Sequence, residues 1–181
     1  MGYNTTEALI PLNIAVLTVS DTRIEATDTS GDYLATSLIN MGHDLIARQI
    51  VPDDIYKIRA TLSQWIAEDS IHAILITGGT GFTDRDSTPE AVTPLFDKII
   101  EGYGELFRQL SYETIGTSTL QSRALAGIAN GSPIFCMPGS TNACRTAWEQ
   151  LISSQLDSRQ GPCNFVPHIK GIDFRACKPR A

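Results

Sequence analysis

The stretch "AILITGGTGFTDRDSTPEAV", Ala73 to Val92, decides how this chain reads. It begins inside "HAILIT", a short apolar run rich in β-branched residues that predicts a buried parallel strand. Gly78, Gly79 and Gly81 follow, then Asp84 and Asp86, then a helix opening on Thr88-Pro89-Glu90. Pro89 sits in the first helical turn, where its missing N–H costs nothing. Ser87 is the alternative cap and would form a capping box with Glu90. A simple corner does not need that much backbone freedom. Glycine tolerates φ > 0 and lets a backbone approach an anion closely. Successive N–H groups turned into one concavity make a phosphate nest, to which the Thr77 and Thr80 hydroxyls add donors. An inward-pointing helix N-terminus adds a favourable dipole.

The rest of the chain repeats the strand-then-helix pattern. "NIAVLTVSD" (13–21) predicts a first buried strand, and "TSGDYLATSLINMG" a helix with Thr29 or Ser30 as cap and Gly42 as its stop. "DLIARQIV" returns as a second strand. "PDD" then opens a helix with Ile55, Ile58, Leu62, Trp65 and Ile66 on one face. Residues 102–116 and 117–130 both read as largely helical. "SPIFCMPGS" is a last strand ending in Pro138-Gly139. "TNACRTAWEQLISSQLD" is an amphipathic helix with Ala143, Ala147 and Leu151 on one stripe. The tail from Arg159 carries three prolines and little periodicity, and reads as a mobile or packed-on extension. This alternation predicts a three-layer α/β/α domain with a mainly parallel sheet, its core over about 13–158 and an extension over 159–181.

Bulk properties bound the function. The 181 residues suffice for one domain with one good core, and 42% hydrophobic with 19% charged residues excludes a disordered chain. Net charge is −6 without a Lys/Arg run, which argues against a nucleic-acid surface. No apolar run reaches the roughly 20 residues of a membrane span. The N-terminus lacks the basic and apolar regions of a signal peptide, although Met1-Gly2 with Thr6 meets the loose myristoylation pattern. Cys136, Cys144, Cys163 and Cys177 are widely spaced, with no zinc-type pairing, as expected of core or free thiols in a reducing, cytoplasmic compartment. His43, His72 and His168 stand apart and read as structural or surface residues.

Ligand sites in such sheets lie beyond the carboxyl ends of the strands. Ser20-Asp21, Gly78 to Gly81 and Pro138-Gly139-Ser140 all fall there. Asp53, at the end of the second strand, can converge with Asp86 at the same edge, although Asp53 also reads as a helix cap and Asp84 as a solvated turn residue. Carboxylates beside phosphates repel them unless Mg²⁺ sits between, so nest and carboxylates together suggest Mg²⁺-nucleotide chemistry. No G-K-[ST] follows the loop, and G-x-G-x-x-G is absent.

Three segments together, "ILITGGTGFTDRDSTPEAV", "GTSTLQSRALAG" and "MPGSTNACRTAWE", resemble the MoaB/Mog molybdopterin-binding family, over about Asn13 to Pro167. "EGYGELFRQLSYETIGTSTLQSRA" and "PCNFVPH" are most similar to its MoaB branch. The resemblance implies an α/β fold that binds molybdopterin and, in active members, adenylylates its terminal phosphate with Mg-ATP. A partner protein then inserts molybdate. It implies Asp53 and Asp86 as the catalytic carboxylates, and the glycine-rich loop, Ser122-Arg123 and Pro138-Gly139 as ligand contacts; the chemistry of phosphoryl transfer then gives Asp86 the task of holding Mg²⁺ and Asp53 that of orienting the metal or the attacking phosphate. It also implies homotrimers or hexamers. Some MoaB-branch proteins lack a carboxylate and do not adenylylate; this chain keeps "VPDD" and "DRDSTPE", while "GTSTLQSR" departs from the "PTAxLSR" of the catalytic branch. The competing readings are a non-catalytic molybdopterin carrier, an NAD or flavin protein lacking its fingerprint, and an assembly module.

Overall fold

In the computed structural model, which describes residues 8–172, four apolar runs become parallel strands of one sheet. The Met1–Thr6 pattern and Cys177 lie outside the described residues. The strands are β1 (Asn13–Val19), β2 (Asp44–Val51), β3 (Ala73–Thr77), β4 (Lys98–Ile99), β5 (Leu125–Ala129) and β6 (Ser132–Met137), in the order β2-β1-β3-β6-β5-β4. β1, β2, β3 and β6 run parallel, and β5 is antiparallel to both neighbours. Thr18 pairs with Thr77, and Thr77 with Met137, so β1, β3 and β6 end level with one another.

Alternate strand residues face opposite layers. Ile14, Val16, Leu75, Phe135 and Met137 meet α1 (Thr29–Met41), α4 (Glu101–Ile115) and α5 (Thr141–Ala147) on one face. Ala15, Leu17, Ile74, Ile76 and Cys136 meet α2 (Ile55–Ala67) and α3 (Thr88–Val92) on the other. Both faces are covered, which is why the central strands read as continuous apolar runs rather than alternating ones. The three-layer α/β/α expectation holds. After α5 the helix continues through a π-helical turn, Trp148–Ile152, into Ser153–Gln155. The described part of the tail packs on: Val166 and Ile169 are buried in the first core, and Phe165 and Ile172 pack against it.

Three local expectations are corrected. The cap of α1 is Asp28, whose side chain accepts from the Gly31 N–H, not Thr29 or Ser30. Ser87 precedes α3 without making a side-chain cap bond, so the capping box with Glu90 does not form. Residues 117–130 are not a helix: Gly116–Gln121 is a 3-10 turn and Leu125–Ala129 is β5. The reason is the Asn130-Gly131 turn, with φ of 46° and 73°, the left-handed pair that joins hairpin strands. A Cβ at Gly127 would lie 2.3 Å from the Phe96 ring, so β5 is shaped for packing rather than for helix propensity.

Candidate functional site

The level ends of β1, β3 and β6 open on a cleft of about 450 Å³. Ser20, Asp21, Asp53, Thr77, Gly78, Gly79, Thr80, Gly81, Asp86, Ser122, Pro138 and Gly139 line it. The fold therefore brings together residues from five separate loops that the sequence singles out. Arg123 and Ser140 are not among the lining residues. Ser140 caps α5, accepting from the Ala143 N–H at 3.2 Å. Asp84 is exposed and stands apart from the cleft.

Gly78 and Gly79 take φ of 102° and 64°. A Cβ on Gly78 would lie 2.2 Å from the Val19 carbonyl oxygen, so only glycine lets the loop leave β3 against the end of β1. The buried Thr88 ties the loop back: its hydroxyl donates to the Gly78 carbonyl and its N–H to the Gly79 carbonyl, both at 2.9 Å. In planar trans peptides, this aims the N–H groups of Gly79 and Thr80 away from Thr88. The Gly78 N–H continues the sheet, donating to the Met137 carbonyl at 3.0 Å. The Gly81 N–H in turn serves the Asp86 carboxylate, so the nest is the Gly79 and Thr80 N–H groups, shorter at both ends than the glycine run suggests.

The two adjacent aspartates of "PDD" divide two tasks. Asp54 is the cap of α2, accepting from the Tyr56 and Lys57 N–H groups at 2.9 Å. That leaves Asp53 to face the loop. Asp53 Oδ1 accepts from the Ser87 N–H at 2.9 Å and hydroxyl at 2.6 Å. Its Oδ2 stands where a Gly79 Cβ would be only 2.6 Å away. Asp86 is anchored in the same way, its Oδ2 accepting from the Thr83 N–H at 2.8 Å and hydroxyl at 2.6 Å. A Gly81 Cβ would lie 2.8 Å from that oxygen. Burial alone would raise the Asp86 pKa, but hydrogen bonds from Thr83 and Gly81 and the Arg123 charge hold it below the ordinary carboxylate value.

Arg123 is a brace of this loop. Its Nε donates to the Gly81 carbonyl at 2.8 Å and its Nη2 to the Asp86 carbonyl at 2.9 Å. Its Nη1 pairs with Glu90, and its guanidinium lies 5.1 Å over the Phe82 ring. All three nitrogens serve the loop backbone, α3 and a neighbouring ring.

The cleft also has residues that sequence reading missed: Thr18, Arg23, Asp28, Ile115, Ser118 and Gln121. Asp28 is 1% exposed. Its Oδ2 accepts from the Thr18 hydroxyl at 2.8 Å and from Arg48 at 2.9 Å, and Arg48 also pairs with Asp32. Burial raises the Asp28 pKa; the bonds from Arg48, Gly31 and Thr18 outweigh it and leave the carboxyl below its ordinary value. Its one sequence signal is its place before a helix, where an Asp reads as a cap. Behind Thr77 lies Cys144, 3.1 Å from the Thr77 hydroxyl, its thiol pushed up to about 11 by burial and so neutral.

Among the described residues no group of three or more His, Cys, Asp or Glu is placed to hold a metal. A Mg²⁺ ion bound through one or two carboxylates and a ligand's phosphates needs no such group. Asp53 and Asp86 suit that arrangement, each anchored through one oxygen against a glycine of the nest.

Fold and cleft define an α/β ligand-binding domain whose site lies past the carboxyl ends of its parallel strands. Residues 15–158 match the family described as "Probable molybdopterin binding domain". The chain is 59% identical over 161 residues to "Molybdenum cofactor biosynthesis protein B" of Escherichia coli (strain K12), covering 89% of this chain and 95% of that one. A crystal structure of "Molybdenum cofactor biosynthesis protein B" superposes with a TM-score of 0.80 at 41% identity, over 83% of this chain and 94% of that one. The "tungsten cofactor synthesizing protein MoaB from Pyrococcus furiosus" follows with a TM-score of 0.72 at 38% identity, over 81% and 92%. The chain belongs to the MoaB/Mog molybdopterin-binding family of molybdenum cofactor biosynthesis.

Proposed function

We propose that this chain binds molybdopterin and adenylylates it with Mg-ATP, releasing pyrophosphate. A terminal phosphate oxygen of molybdopterin attacks the α-phosphorus of ATP. The new P–O bond forms as the bond from the α-phosphorus to the α–β bridging oxygen breaks, and that oxygen leaves with pyrophosphate. The observation that carries this reading is the pair of carboxylates, Asp53 and Asp86, anchored on one glycine nest. Phosphoryl transfer asks chiefly for positioning and charge neutralisation. Asp53 and Asp86 would hold Mg²⁺, which when bound supplies positive charge to the phosphate oxygens. The nest N–H groups and the Thr80 hydroxyl orient the phosphates, and Ser20, Asp21, Ser122, Pro138 and Gly139 complete the walls. Arg123 acts through the loop it braces.

The reading includes homo-oligomers, trimers or hexamers, and handover to a molybdate-inserting partner. Five large apolar side chains between Ile99 and Leu120 stand exposed (Ile99, Leu106, Tyr112, Ile115 and Leu120), which supports self-association. Among the described residues no helix is long and apolar enough to cross a membrane.

The test is incubation of the purified protein with molybdopterin, Mg²⁺ and α-labelled ATP. Labelled adenylyl-molybdopterin is expected. Tight molybdopterin binding with no labelled product would make the chain a carrier, with Asp53 and Asp86 as braces of the loop.

A further inference from the structure

We infer that Arg85 is the cation that receives the nucleotide's polyphosphate, and that Asp21 holds it at the rim of the cleft until that anion arrives. The inference rests on the adenylylation reading and names the residue that reading lacks.

The charges of the cleft set the problem. Asp21, Asp28, Asp53 and Asp86 line it against one lining cation, Arg23. Arg23 donates to the Thr27 carbonyl of its own loop at 2.7 Å. Arg48 is matched to Asp28 and Asp32, and Arg123 to Glu90 and two loop carbonyls. A ligand carrying several negative charges meets an acidic wall unless another cation is at hand. Arg48 already offsets Asp28 and Mg²⁺ would offset Asp53 and Asp86, which leaves Arg23 as the one lining cation for a ligand's several charges.

Arg85 is placed to supply the charge. It precedes Asp86 on the nest loop, and its Nη2 lies 2.8 Å from Asp21 Oδ1, a residue of the cleft wall. The two side chains are 66% and 36% exposed. An ion pair that exposed is worth little, so exchanging it is cheap. Its surroundings do not depend on it. Arg123 and Thr83 brace the loop on either side. Asp21 Oδ1 also accepts from the Asp53 N–H at 3.2 Å, so Asp21 stays held when the guanidinium leaves. The exchange replaces one carboxylate with phosphate oxygens, for which the planar guanidinium offers two parallel donors. Only hydrogen bonds change partners.

The experiment is calorimetric titration of inorganic tripolyphosphate, and separately of Mg-ATP, into wild type, Arg85→Ala, Asp21→Asn and the double variant. Arg85→Ala is expected to weaken both ligands about tenfold or more. Asp21→Asn keeps the acceptor for the Asp53 N–H, releases Arg85 and is expected to tighten tripolyphosphate several-fold. That gain should vanish in the double variant. If Asp21→Asn tightens binding equally in the Arg85→Ala background, Asp21 acts through its charge alone and the inference is wrong. If wild type binds both ligands and Arg85→Ala binds them as tightly, the inference fails and the adenylylation reading stands. If wild type binds neither ligand, both fail.

Discussion

At the carboxyl ends of the parallel strands, Gly78 and Gly79 turn with φ of 102° and 64°, and Asp53 and Asp86 stand against the loop. At the amino ends, Asn130 and Gly131 turn with φ of 46° and 73°, and His43 and His72 stand beside the start of β1. The two ends share positive-φ turns and ionisable side chains, but these groups point at different things. At the amino end they serve the backbone. His43 Nδ1 accepts from the Leu12 N–H, His72 Nδ1 from the Asn13 N–H, and the Asn130 amide and the Lys170 ammonium both donate to the Ile66 carbonyl. At the carboxyl end, Asp53 and Asp86 each spread one anchoring oxygen over a short turn, and both border a cleft large enough for a ligand. A glycine turn is therefore not a site by itself. What matters is whether the polar groups beside it finish the fold or face a cavity.

The comparison breaks first on catalysis. Asp86→Asn keeps the acceptor geometry toward Thr83 and removes the charge. Turnover in the labelled-ATP assay is expected to fall by about a hundredfold or more, with molybdopterin affinity little changed. Asp53→Asn should behave alike. Equal turnover in either variant would reduce these carboxylates to the role the histidines have at the other end.

The next effect is on stability. Asp28→Ala removes a buried ion pair and the cap of α1 together, an expected loss on the order of 3 kcal/mol in urea unfolding. The folded Asp28 carboxyl lies below its ordinary value of 3.8, so the unfolded chain binds the proton more readily. Its contribution is complete above that value and is lost as pH falls below it. Wild-type unfolding midpoints should drop along this acid limb, and Asp28→Asn should flatten it.

Glycine substitutions sharpen the contrast between the ends. Gly131→Ala sets a Cβ at φ 73°, 3.1 Å from the Lys170 Cβ, and is expected to cost about 1–2 kcal/mol of stability with ligand binding intact. Gly79→Ala sets one 2.3 Å from the Thr88 hydroxyl oxygen and 2.6 Å from Asp53 Oδ2. A similar or larger stability cost is expected, together with loss of tripolyphosphate binding.

The smallest effect is the pH response of the amino end. Burial lowers the His43 pKa from 6.5, and burial followed by the Lys170 charge lowers that of His72. Both contribute stability that is full above 6.5 and lost as pH falls through the folded values. Unfolding midpoints at pH 7.5 and 5.5 should differ in wild type and differ less in His43→Gln.

Sequence reading reached the parallel half of the sheet because β1, β3 and β6 are buried on both faces and so are written as apolar runs. It missed β5 because "LAGIA" has little intrinsic strand preference. Its conformation comes from pairing with β6 and from the Phe96 ring resting on Gly127. The Asn130-Gly131 pair was the available signal. Most of the cleft was legible because its residues follow strand ends in a parallel sheet. The division of labour between Asp53 and Asp54 was not, since two adjacent carboxylates carry the same pattern and only Ser87, distant in sequence, separates them. Nor was the role of Arg123, which depends on three acceptors contributed by Gly81, Asp86 and Glu90.

The most direct test of the account compares wild type with Asp86→Asn for molybdopterin affinity and for labelled adenylyl-molybdopterin formed from Mg-ATP. Wild type is expected to form product and the variant little, with similar molybdopterin affinity in both. Matching product yields, or a wild type that binds molybdopterin and forms none, would contradict the account.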